Sequence, residues 1–215
     1  MRIRNPSLAL LLGLGALLLG YPFVEQSQHA RTALNLLGIV VVLLATRMIA
    51  HTQTDKRFVW GVAILPIATQ LWYVVQHERW VAAWVAAMQA VFYAYVTWGY
   101  IRYMRRDEVA SVDEIFAAGA TFIIIVLLFA CLYWLLEFAW PGSFTTANPV
   151  RAEDGLTWYE YVYFSFTTLS TTGYGDTAPV TSIARAVVMA EQFAGVMYVA
   201  LVIAHLTSLA ARRTR

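Results

Sequence analysis

The stretch "TLSTTGYGDTAP", residues 168–179, decides the fold. Two glycines flank a tyrosine, hydroxyl side chains crowd in before them, and an aspartate follows. On either side lie apolar runs, 119–139 and 181–209. A glycine-rich polar segment between two such runs needs a physical reason. Irregular backbone leaves N–H and C=O groups that hydrocarbon cannot satisfy, so protein must bury it or water must line it.

Working outward, the whole chain is of one character. Of 215 residues, 60% are hydrophobic and 13% charged, where soluble domains carry roughly 25% charge. Too few polar side chains remain to cover a water-facing surface. The single cysteine, Cys131, excludes an intrachain disulfide. A net charge of +2 lends no support to a nucleic-acid partner.

Apolar runs fall near 7–24, 33–50, 58–76, 80–101, 119–139 and 181–209. Each approaches or exceeds the ~20 residues that cross ~30 Å of hydrocarbon as a helix. The fold class expected is therefore an all-α membrane protein of six spanning helices. Basic residues set its orientation. With both termini cytoplasmic, the inside holds Arg2, Arg4, Arg47, Lys56, Arg57, Arg102, Arg105, Arg106, Arg212, Arg213 and Arg215, while Arg31, Arg79, Arg151 and Arg185 lie outside. The start, "MRIRNPSLALLLGLGALLLG", shares its pattern with a secretory signal peptide. No convincing small-residue cleavage site follows, and either outcome leaves the later helices facing the same way.

The segment 140–180 is neither apolar enough to span nor polar enough for a plain loop. "WPGSFTTANPVRAEDG" reads as an exposed turret. Thr157 with Glu160 three residues on is a capping box, so a helix is expected over 158–170, until Gly173 and Gly175 end it. Thirteen residues give about 20 Å, too short to span. A half-crossing helix followed by irregular chain is a re-entrant loop.

"TTGYGD" at 171–176 resembles the selectivity-filter signature of potassium channels. The resemblance extends over 119–210, the helix–loop–helix pore unit, and the chain looks like the compact bacterial members. It implies passive potassium conduction across the cell membrane, a bacterial inner membrane, with K⁺ as permeant ligand and no other cofactor. It also implies that the Thr171 hydroxyl and carbonyl, and the carbonyls of Thr172, Gly173 and Tyr174, take the place of the ion's water. The physical reason for glycine stands by itself. Inward-pointing consecutive peptides require alternating left-handed backbone, which Gly173 and Gly175 adopt without penalty. By the same resemblance Tyr174 points away from the pore into an aromatic cuff, with Tyr163 and Phe164 as candidates. Asp176 sits behind the mouth, within reach of the Tyr163 phenol. One loop cannot encircle an ion and no second "GYG" occurs, so a homotetramer is implied.

In the last helix, Gly195 matches the position of a hinge glycine in related pores, or equally allows close helix packing. By the same alignment Val196, Val199 and Ile203 face the cavity or lower gate. Glu191 is out of place in an apolar helix, where a central carboxylate costs about 3 kcal/mol. It is expected to bond behind the filter to Thr167 or Thr168, with Gln192 sharing the network. His205 near the inner mouth invites comparison with a proton sensor, although a lone interfacial histidine is more often simply amphipathic.

The layout expected is four peripheral helices over 1–104, an amphipathic linker over 105–118, the pore domain over 119–210 and a basic tail over 211–215. Voltage sensors carry several arginines at every third position inside the membrane. The fourth helix, "WVAAWVAAMQAVFYAYVTWGYI", has none, so steep voltage gating is not expected. The tail can meet anionic membrane lipids, and no soluble ligand-binding domain is read after the last helix. The rivals are a non-selective cation channel and a potassium-transporter subunit. An enzyme is disfavoured because His29, His51, His77 and His205 stand far apart.

Overall fold

The computed structural model describes residues 6–20, 28–52, 56–76, 78–104, 112–147 and 155–213. Four helices occupy the first half: α1 (Pro6–Gly20), α2 (Gln28–Thr52), α3 (Lys56–Gln76) and α4 (Arg79–Met104). The second half runs α5 (Val112–Ala139), β1 (Phe144–Thr146), α6 (Trp158–Leu169), β2 (Thr177–Pro179) and α7 (Ser182–Arg213). Within these, Arg57–Gln76, Arg79–Arg102, Val112–Ala139 and Ser182–His205 are long and apolar enough to cross a membrane. The apolar parts Ser7–Gly20 and Leu36–Ala50 are shorter among the described residues.

Helix α5 is the central post. It packs against α1, α4, α6 and α7. More than half of its most apolar stretch is buried, against under a quarter of that of α7. One apolar core runs from Leu10 and Val41 through Phe92 and Ile124 to Tyr133, Leu169 and Tyr198. Among the buried polar groups of the peripheral helices is an amide pair. Gln89 Nε2 donates to Gln70 Oε1 at 3.2 Å, and both side chains are buried. Gly38 of α2 makes room for it, since a Cβ there would lie 2.5 Å from Gln70 Nε2.

Four helix ends meet on one side. The Ser7 N–H and hydroxyl of α1 donate to the Asp113 carboxylate of α5 at 3.0 and 2.8 Å. The Tyr100 hydroxyl at the end of α4 donates to the Glu114 carbonyl at 2.9 Å. His205 Nε2 near the end of α7 lies 2.8 Å from Glu114 Oε1. Thus α1 and α5 start on the side where α4 and α7 end, and His205 is not a lone interfacial histidine.

Boundaries differ from the sequence reading at the linker, the turret and the tail. Residues 112–118 of the expected linker form the first two turns of α5, while 105–111 lie outside the described residues. Asp113 and Glu114 suit that first turn, where a carboxylate complements the free N–H groups. The turret is not all loop. Phe144–Thr146 pairs antiparallel with Thr177–Pro179, in the register Phe144↔Pro179 and Thr146↔Thr177, and 148–154 lie outside the described residues. The small ribbon was not foreseen, because neither three-residue strand is long enough to show alternation. Finally, α7 is helical through Arg213, so most of the expected tail continues the helix and 214–215 lie outside the described residues.

Candidate functional site

The site is built on α6. Its first turn carries the capping box: Glu160 N–H donates to Thr157 Oγ1 at 3.4 Å, and Thr157 N–H donates to Glu160 Oε2 at 2.6 Å. Thr157 has extended backbone, φ −76° and ψ 163°, as a residue just before a helix should. Twelve residues make α6 about 18 Å long, well short of a ~30 Å crossing. It ends at Leu169, one residue earlier than the glycines alone indicate, with Ser170 as C-cap.

The chain then turns tightly on the carbonyls of the last helical turn. Thr171 N–H donates to Thr168 O at 3.1 Å, and the Thr172 and Gly173 N–H groups both reach Thr167 O, at 2.9 and 3.1 Å. Thr167 meets the loop through its carbonyl, while its hydroxyl bonds back to Phe164 O at 3.0 Å. The Ser170 and Thr172 hydroxyls lie 2.9 Å apart. Beyond the turn, φ is positive at every second residue: 61° at Thr171, 55° at Gly173 and 80° at Gly175. Glycine adopts this freely. Threonine does so at about 1–2 kcal/mol, and helices usually end on glycine at that place. Residues 171–176 are exposed in the single chain.

Around this loop the outer end is braced. The Tyr163 ring stacks on Tyr174 with centroids 6.3 Å apart and planes 1° from parallel. The Tyr163 phenol pKa is raised, by desolvation first and then by the nearby Asp176 carboxylate. Asp176 also accepts from Thr177 N–H through Oδ1 at 3.0 Å, and its carbonyl accepts from Ala147 N–H at 2.7 Å. Phe164 does not join Tyr174. It points to the other face of α6 and packs against Tyr133 and Phe144, at 5.2 and 5.8 Å. A helix turns 100° per residue, so adjacent aromatics such as Tyr163 and Phe164 cannot line the same surface.

Behind the loop, Glu191 of α7 is fully buried, yet its partners are not Thr167 or Thr168. Its carboxyl meets the hydroxyls of Ser165 on α6 and Tyr133 on α5, and the Ser165 hydroxyl also lies 2.9 Å from Val126 O. The carbonyls of the two threonines accept from the turn and the Thr167 hydroxyl bonds back within α6, whereas Ser165, earlier on the helix, faces α5 and α7. Gln192 is exposed and lies off this network. Sequence reasoning missed Tyr133 and Ser165. A tyrosine in "LLFACLYWLLEFA" is visible, but its facing partner depends on the rotation of three helices.

Gly195 lies where α7 crosses the end of α6. A Cβ there would sit 2.4 Å from Leu169 O, and α7 runs unbroken through it. Of the two readings, close packing is the one this contact requires, and the Cα–H group meets the carbonyl directly. Val196, Val199 and Ile203 are exposed in the single chain, at 56%, 44% and 57%.

Residues 120–212 match the family model described as "Ion channel". The match takes in α5 from Ala120 onward, α6 with its loop, and α7 as far as residue 212, and supports an ion-channel function for this half of the chain. No curated protein and no solved structure matches the chain.

Proposed function

We propose that the protein is a potassium-selective channel, formed by four copies around an axis, in which residues 171–175 of each copy line the ion path. The observation that carries this reading is the alternating backbone at Thr171, Gly173 and Gly175, at the C-terminal end of a capped half-length helix. Alternation turns successive carbonyls toward one side, giving oxygens that replace ion hydration. The helix end adds partial negative charge, favourable to a cation. Threonine, rather than glycine, at a strained left-handed position supports a role for its hydroxyl at the inner end of the filter. Exposure of the whole loop in one chain supports assembly, since membrane-depth irregular backbone must be covered or line water.

In this reading six helices span, α1 and α2 completing their crossings with flanking residues, and both termini lie in the cytoplasm. The convergence of the starts of α1 and α5 with the ends of α4 and α7 supports that alternation. Val196, Val199 and Ile203 line the cavity or the subunit contacts. The test is flux of rubidium or potassium into liposomes holding the purified protein. Flux blocked by barium and indifferent to sodium is the expected result. Equal sodium flux indicates a non-selective cation channel, and absent flux a transporter subunit or another function.

A further inference from the structure

We propose that Glu114 and His205 form a proton-controlled latch that ties the inner end of α7 to the start of α5 within one subunit. The inference rests on the channel reading above, in which α7 lines the pore. Beyond the Tyr133–Glu191 bond, two rungs join these antiparallel helices toward the start of α5. In the upper one, the Tyr198 hydroxyl donates to Ala118 O at 2.7 Å, a bond that no proton near neutrality alters. In the lower one, seven residues or about 10 Å further along α7, His205 Nε2 lies 2.8 Å from Glu114 Oε1.

The lower rung is placed to act. The Glu114 side chain is almost wholly buried, whereas the His205 side chain is 17% exposed, so protons reach the imidazole from its own side of the membrane. Histidine is the side chain whose charge changes between about pH 5 and 8. A charged imidazolium is drawn to the Glu114 carboxylate far more strongly than a neutral ring, because the carboxylate is shielded from water. Acid therefore strengthens this tie, and alkali weakens it, easing movement of the end of α7 about the Tyr198 rung.

Other described groups around the pair have their own engagements. Asp113, next to Glu114, takes Ser7 of α1; Tyr100 of α4 donates to the Glu114 carbonyl; Arg102 of α4 lies over the Trp98 ring at 5.3 Å. Residues from α1, α4 and α7 thus meet on two consecutive residues of α5. Motion of the latch is felt by the peripheral helices and by the pore-lining helix together.

The test uses the purified full chain in a planar bilayer, with pH varied from about 5 to about 8 in one compartment at a time. Potassium current is expected to change roughly 5-fold or more, the lower bound of typical site coupling, and only from the side holding Glu114. His205→Gln and Glu114→Gln should each abolish that dependence while still conducting. His205→Lys, permanently charged, should hold at pH 8 the current that wild type shows at pH 5. Wild-type current indifferent to pH on both sides overturns the latch, as does dependence that survives both glutamine variants or a lysine variant that behaves like glutamine. Conduction that persists in those outcomes leaves the channel reading standing, whereas absent current in every variant and in wild type removes that reading instead.

Discussion

Replacing Glu191 offers the sharpest test of how the 171–176 loop is held from behind. Its carboxyl is fully buried and joins Tyr133 of α5 and Ser165 of α6 to α7. Glu191→Ala strands the Tyr133 hydroxyl, which is itself buried, at about 1–3 kcal/mol. It also leaves a cavity, and large-to-small changes at buried sites cost about 2–5 kcal/mol. The two overlap, so about 3–5 kcal/mol per subunit is expected, roughly a hundredfold or more in the folded ratio. For a chain of this size that lowers Tm by roughly 6 °C or more. Glu191→Gln should behave differently. The Ser165 hydroxyl has one proton and two oxygens in reach, Val126 O and the carboxyl. If that proton goes to Val126, the carboxyl must itself donate, as a neutral acid does. An amide donates on one side and accepts on the other, so glutamine should cost less than about 1 kcal/mol. The assay pairs thermal melting of the detergent-solubilised assembly with the potassium-to-sodium permeability ratio in bilayers. An alanine variant that melts with wild type and keeps its selectivity would refute the clamp, and a glutamine variant as damaged as alanine would refute the neutral acid.

Three further outcomes are expected. Gly195→Ala drives a Cβ to 2.4 Å from Leu169 O, a backbone atom, so α7 must shift; the variant should lose about 1–3 kcal/mol in a melt and lose selective flux, whereas a pure hinge role would leave the melt unchanged. Thr171→Gly removes left-handed strain and should stabilise the fold by about 1 kcal/mol, yet weaken potassium-selective flux through loss of the hydroxyl; unchanged selectivity would remove that hydroxyl from the ion path. Thr157→Ala breaks the capping box and should cost about 1 kcal/mol in thermal stability with selectivity kept, because the cap lies at the far end of α6 from the loop.

How much of this was legible beforehand depended on the range of the interaction. Thr157 and Glu160 are three residues apart, so their reciprocal bonds follow from local spacing, and the start of α6 at Trp158 is readable. The left-handed φ at Gly173 and Gly175 is a property of residue type. Apolar length likewise marks α3, α4, α5 and α7 without knowledge of their neighbours. At Glu191 the sequence alone determined only that a buried carboxyl needs partners. Which partners it finds was decided by how α5, α6 and α7 are rotated against each other, a matter of side-chain packing between segments far apart in the chain. The same holds for Phe164, turned toward Tyr133 rather than Tyr174, and for His205, whose partner Glu114 lies 91 residues away. Local chemistry wrote the loop, its cap and its glycines into the order of residues. Only the tertiary structure could choose the long-range partners, because backbone hydrogen bonds are met within each helix and leave its rotation to packing.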